Sequence, residues 1–177
     1  MPFALCLDLG GPDLGPVHAA IRLIEAASRE SRSVLQLGIG LHLTLAVVET
    51  LPEDAASQLL DSADARPLEP IRFPAWGVFP GERAVVFLTP LASDALRGLQ
   101  RNCYAAASRF GTPCSHYHPE SWVPHATLAV DVPGAELHRV VPCLARLRFP
   151  LTLDAVSAGV VEVPSVRTVA RRPRTVR

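Results

Sequence analysis

Two short segments carry the same potential chemistry: His42-Leu-Thr44-Leu and His125-Ala-Thr127-Leu. On an extended strand residues i and i+2 face the same side, so each segment presents one imidazole and one hydroxyl together. An unperturbed imidazole titrates near pH ~6.5, so of two histidines sharing a cleft one can accept a proton while the other donates. Threonine hydroxyls beside them can donate to nonbridging phosphoryl oxygens. The set suits displacement at a tetrahedral phosphate flanked by an acid and a base. A lone His-x-Thr on a strand is ordinarily structural, and it is the second copy that gives the pair its weight.

The elements that must position these groups also occur twice. Apolar periodicity predicts a strand at Phe3 to Leu9, a helix at Pro16 to Ser28 and a strand at Leu41 to Val48. A short helix at Glu53 to Asp61 and a strand at Ile71 to Phe79 follow. The second half runs through a strand at Ala84 to Leu88, a helix at Ser93 to Phe110, a strand at Trp122 to Val130, a helix at Ala135 to Arg146 and strand material at Phe149 to Val163. Wording repeats with the order: His42-Leu-Thr-Leu-Ala-Val47 returns as His125-Ala-Thr-Leu-Ala-Val130, and Ile71-Arg-Phe-Pro74 as Leu147-Arg-Phe-Pro150. Internal duplication is the economical explanation. The expected architecture is α+β: two pseudo-twofold β-α-β-α-β lobes, repeats about 3–80 and 84–163, with antiparallel sheets lining a central cleft and helices outside. One bilobal domain over residues 1–166 is predicted, followed by an Arg-rich flexible tail at 167–177.

Composition narrows the function classes. With 49% hydrophobic and 19% charged residues and a mean hydropathy of +0.23, the 177-residue chain has enough apolar material for one core. No apolar run is long enough to span a bilayer and no basic leader precedes the first strand, so cytoplasmic placement without membrane contact is expected. The 17 basic and 17 acidic residues cancel, which disfavours nonspecific coating of long nucleic acid. Five arginines and no acid fall in residues 167–177, so the basic excess is concentrated there. Neither Gly10-Gly11 nor Gly38-Ile-Gly40 has the spacing of a dinucleotide fingerprint or a P-loop. Cys6, Cys103, Cys114 and Cys143 form no CxxC pair and read as free thiols.

The two His-x-Thr-Leu motifs resemble those of the two-histidine phosphoesterase superfamily, most closely its 2'-5' RNA ligase group, also described as RNA 2',3'-cyclic phosphodiesterases. Ser121-Trp-Val-Pro-His125-Ala-Thr-Leu resembles the second motif of that group, and Gly77-Val-Phe-Pro80 with Arg83-Ala-Val-Val-Phe87 resembles the strand pair between the motifs. The resemblance implies a bilobal enzyme that hydrolyses 2',3'-cyclic phosphates or 2'-5' linkages without metal or cofactor, and that can run in reverse as a ligase. His42 and His125 would be the catalytic pair and Thr44 and Thr127 the phosphate holders, with the acid and base roles left open. The implied partner is an RNA terminus or a small cyclic nucleotide, with no obligate protein partner. Some members place an arginine shortly after the second motif, where this chain reads Ala129-Val130; Arg72, Arg83 and Arg148 are the candidates to replace it.

Tyr117 and Trp122, just ahead of the second motif, are the candidates for stacking on a base, against core packing as the plain alternative. Cys114, His116 and His118 invite a metal reading, but no regularly spaced further ligand pair accompanies them. The competing functional class is a binding module of the same fold that holds an RNA end or a nucleotide without turnover.

Overall fold

The computed structural model describes residues 1–52, 54–64 and 68–174, among which nine strands and four α-helices alternate. The first repeat supplies β1 (Phe3–Gly10), α1 (Leu14–Ala27), a two-residue β2 (Arg32–Ser33), β3 (His42–Val48), α2 (Ala55–Asp64), β4 (Ile71–Phe73) and β5 (Ala75–Phe79). The second supplies β6 (Arg83–Thr89), α3 (Asp94–Ala107), β7 (Ala126–Pro133), α4 (Leu137–Leu144), β8 (Leu151–Glu162) and β9 (Arg167–Pro173). The predicted helix start at Glu53 and the tail residues 175–177 lie outside the described residues.

Every strand pair is antiparallel. One sheet runs β3-β1-β8-β4 with β9 also on β8, and the other runs β2-β7-β6-β5. The sheets do not follow the sequence repeats, because each repeat passes its last strand to the other: β8 pairs with β1, and β5 with β6. The predicted single strand Ile71–Phe79 is divided at Pro74, which has no N–H for a ladder bond. Its first part stays on β8 in one sheet while its second crosses to β6 in the other. Pro150 stands at the same point of the duplicated Arg-Phe-Pro wording, immediately before the exchanged β8.

Helices cover the outer faces. Val17, Ala20, Ile21 and Ile24 of α1 recur at the i, i+3, i+4 spacing of one helical face and are buried as α1 packs against β2, β7 and α4. On the other lobe α3 packs against β3, and α2 against β8 and β9. The Ser93 hydroxyl caps α3 by accepting from the Leu96 N–H at 3.2 Å. Leu5, Leu7 and Leu9 of β1 are buried, while Ala4, Cys6 and Asp8, on the opposite face, line a cavity in the cleft. No helix among the described residues is long and apolar enough to cross a membrane.

The Arg-rich tail is not the expected loose end over its described length. Residues 167–173 form β9 on β8, and their arginines are matched to acids, near in sequence for Arg167 and distant for Arg171 and Arg172. Arg167 pairs with Glu162 at 2.9 Å, Arg171 with Asp8 at 3.1 Å, and Arg172 with Asp61 at 2.7 Å and Asp64 at 3.0 Å. Arg174, just past the strand, reaches Asp64 at 3.3 Å. Ladder bonds plus this string of charge pairs order a segment whose composition alone reads as solvated.

Candidate active site

The first histidine is set by the turn before β3. Gly38 and Gly40 take the left-handed backbone region at φ 71° and 73°, which costs glycine little. This turn places the Gly40 carbonyl 3.0 Å from His42 Nδ1. At the second motif His125 stands directly before β7, and its Nδ1 lies 2.8 Å from the Val123 carbonyl. A carbonyl only accepts, so in both cases Nδ1–H donates to the backbone two residues upstream. Both rings are thereby fixed in one tautomer, with Nε2 as the nitrogen left for chemistry. The two motifs thus match in geometry as well as in wording.

Strands β3 and β7, one from each sheet, approach each other, and charge on His42 is felt at His125. Thr44 follows His42 on the same face, its Oγ1 3.5 Å from the buried Cys6 Sγ. Burial pushes the Cys6 thiol up to about 12, so it stays protonated beside Thr44. Thr127 stands two residues after His125 and opposite Phe87 in the β6–β7 ladder.

His125 sits in an aromatic corner. Its ring meets Phe79 edge to face at 5.0 Å and Phe87 at 5.4 Å between centroids. Phe87 reaches that position over Gly77, its partner across the β5–β6 pair, where a Cβ would come within 2.6 Å of the Phe87 ring. Burial lowers the His125 pKa below the ordinary imidazole value; the hydrogen bond to Val123 opposes this and charge on His42 adds to it.

Tyr117 lines both cavities of the cleft, the one at His42 (about 190 Å³) and the one at His125 (about 420 Å³). Burial pushes its phenol up to about 12, and its hydroxyl interacts with Thr44. Trp122 departs from the stacking expectation: it is 6% exposed and donates Nε1–H to the Thr44 carbonyl at 3.3 Å. Its indole edges the His125 cavity but acts mainly as a pin on the strand that carries the first motif. The predicted strand start at Trp122 moves to Ala126, since Pro124 has no ladder donor.

Gln100 escaped sequence reasoning. It occupies the buried face of α3, 1% exposed, and its Nε2 donates to the Leu45 carbonyl at 3.2 Å and the Tyr117 carbonyl at 2.6 Å. With Trp122 on Thr44 and the Cys114 N–H on the Val47 carbonyl at 2.8 Å, the outer edge of β3 is closed by the loop ahead of the second motif. A single glutamine in an apolar helical stripe gives no sequence signal of such a clamp.

Arg83 bonds Glu30 at 3.0 Å, Arg72 lines a separate hollow with Leu91 and Ser93, and Arg148 is exposed. None of these three lines the cavities at the histidines; Arg171 of β9 lines the His42 cavity. In the segment read for metal, His118 packs on Tyr104 and accepts from the Glu120 N–H, and His116 edges the His125 cavity. Among the described residues no group of three or more His, Cys, Asp or Glu side chains converges as ligands.

Comparison with known proteins gives similar folds and a family. In fold the chain is similar to Escherichia coli LigT complexed with 3'-AMP, at 18% identity over 99% of this chain and 97% of that one, TM-score 0.57. It is likewise similar to a phosphoesterase at 19% identity over 98% and 95%, TM-score 0.56. Kluyveromyces marxianus Usb1 with uridine monophosphate follows at 12% identity over 95% and 97%, TM-score 0.51. No curated protein matches the sequence. The profile of the 2'-5' RNA ligase superfamily matches residues 15–163, a span that holds both His-x-Thr motifs, and the chain belongs to that superfamily.

Proposed function

We propose that the protein is a phosphodiesterase that hydrolyses 2',3'-cyclic phosphates or 2'-5' linkages of RNA or nucleotides by paired-histidine acid–base catalysis. The observation that carries this reading is the mirrored fixation of His42 and His125, each by Nδ1–H on the carbonyl two residues upstream. Such fixation leaves both Nε2 atoms for proton transfer, on the strand β3 and just ahead of the strand β7, which approach each other. His125, whose apolar surround keeps it neutral at pH 7, fits the base, and His42 fits the acid.

In hydrolysis of a cyclic phosphate, His125 Nε2 takes a proton from water as the water oxygen bonds to phosphorus. The bond from phosphorus to one ribose oxygen breaks, and His42 donates its proton to that oxygen. The product is a phosphomonoester, and Thr44 and Thr127 donate to the nonbridging oxygens whose charge grows in the transition state. With a ribose hydroxyl in place of water the same steps, in the same direction, form a 2'-5' linkage, and their reverse cleaves that linkage to the cyclic phosphate and the free hydroxyl. Both proton transfers are supplied by imidazoles, so the scheme calls for no metal.

Supporting context comes from the family match and from the nucleotides named with LigT and Usb1, 3'-AMP and uridine monophosphate. The test is turnover of a panel of 2',3'-cyclic mononucleotides and short RNAs with EDTA present, for wild type, His42→Ala and His125→Ala. Loss in both variants, with wild-type turnover unaffected by EDTA, is expected. A folded wild type that binds these ligands without turning any over would instead make the chain a binding module.

A further inference from the structure

The His42 cavity has one polar end. His42 and Thr44 share it with Asp8 from β1 and Arg171 from β9, while Thr168 lies farther along, in the row of Ala4 and Val161. Asp8 lies directly opposite His42 in the β1–β3 ladder, one strand spacing or about 4.8 Å away along the sheet. Its carboxylate accepts from the Ser157 hydroxyl and from a terminal nitrogen of Arg171 at 3.3 Å, and Arg171 Nε stands at ion-pair distance from it, 3.1 Å. Arg171 arrives from the other side, since its strand lies beyond β8 and its register partner is Gly159, which in turn faces Cys6.

We propose that Arg171 is an anion-binding residue of this site and that the preferred substrate carries a phosphate beyond the one under attack. The inference rests on the phosphodiesterase reading and adds a substrate class to it. One hydrogen bond and an ion-pair contact to Asp8 orient the fork and leave donors of the guanidinium for a ligand. The side chain is 51% exposed at the cavity wall, whereas Arg172 and Arg174 are committed to Asp61 and Asp64 on α2. Apart from the imidazoles, Arg171 is the one cationic side chain among the described residues that lines the cavities at His42 and His125. On the phosphodiesterase reading the scissile phosphate belongs to the two His-x-Thr pairs, and in the order β3-β1-β8-β9 Arg171 stands on the far side of Asp8 from His42. The group it meets is therefore one step along the substrate, such as a terminal phosphate on the same nucleotide.

The test compares adenosine 3'-monophosphate with adenosine 3',5'-bisphosphate, binding being measured by calorimetry for wild type, Arg171→Ala and Arg171→Lys. Wild type is expected to prefer the bisphosphate by about tenfold to a hundredfold, the value of one charge-assisted contact. Arg171→Ala should lose that preference while holding the monophosphate nearly as wild type does, and Arg171→Lys should keep part of it. In turnover of 2',3'-cyclic AMP with and without a 5'-phosphate, the alanine variant should raise KM for the 5'-phosphorylated substrate alone, with kcat retained. Absence of a bisphosphate preference in wild type would overturn the proposal, as would equal weakening of both probes in Arg171→Ala, the mark of a merely structural ion pair. Should the alanine variant fail to fold, Arg171→Gln takes its place in the same comparison. Turnover with no dependence on Arg171 would remove this proposal alone. An Arg171-dependent preference without any turnover would uphold the anion site and remove the catalytic reading.

Discussion

Replacing Gln100 by methionine keeps the length of the side chain and deletes both N–H donors, which isolates the clamp on β3 and the Tyr117 turn. The side chain is 1% exposed, so water does not replace the lost bonds, and the Leu45 and Tyr117 carbonyls are left without this partner. An orphaned buried acceptor costs about 1–3 kcal/mol, and the 3.2 Å contact to Leu45 belongs at the low end, so the pair costs about 2–4 kcal/mol. Methionine returns about 1 kcal/mol through better apolar transfer, for a net loss of about 2 kcal/mol. In a chain of 177 residues this lowers Tm by about 4–8 °C. Calorimetry and urea unfolding measure it directly, and a reduced midpoint with unchanged slope is expected. Catalysis supplies the second readout: because Tyr117 lines both cavities, a loosened Tyr117 turn should raise KM more than it lowers kcat. A variant that melts within about 1 °C of wild type with unaltered kcat/KM would refute the clamp.

The apolar corner at His125 predicts that the acid limb of kcat/KM falls below the ordinary imidazole value of 6.5, because a depressed pKa keeps the base neutral into more acidic solution. Phe79→Ala should move that limb upward, and a limb that stays in place in a pH–rate series would contradict the desolvation account. The same depression means that the unfolded chain protonates first, so the stability owed to neutral His125 is present above 6.5 and declines as pH falls through the lowered folded value. Trp122→Phe should lower stability and kcat/KM together by freeing the Thr44 carbonyl, whereas an exposed stacking residue would alter KM without changing Tm. Arg167 and Ser165 hold the Glu162 carboxyl below its ordinary value of 4.5. Its contribution is therefore present above 4.5 and lost as pH falls through the lowered value, and Glu162→Gln should flatten this part of an acid titration followed by circular dichroism. Removing residues 167–177 should lower Tm and uncover the edge of β8, with dimers or larger species in light scattering.

The catalytic candidates were legible because two local rules coincide at them. Period-two alternation puts His and Thr on one face, and duplication supplies the same face twice. The helix α1 was equally plain in the spacing of Val17, Ala20, Ile21 and Ile24. What stayed hidden depends on partners far along the chain. Residues 167–173 read as charged and loose because Asp8, Asp61 and Asp64, which neutralise their arginines, lie more than a hundred residues earlier. Trp122 beside a strand fits stacking and core packing alike until the Thr44 carbonyl is seen to accept its N–H. The break at Pro74 was visible as a residue but not as a crossing between sheets, since nothing local says which sheet β5 joins.

Exchange of β5 and β8 between the repeats also constrains the order in which the molecule can be made. Strand β1 leaves the ribosome before the other strands of its sheet, and the partner that completes that sheet follows roughly 150 residues later, about 10–30 s at ordinary elongation rates. Through that interval β1 and β3 form at most a two-stranded ribbon, which is marginal by itself. Neither half of the duplication is a self-sufficient folding unit in this form, so the sheet that carries His42 is completed only once β8 has emerged.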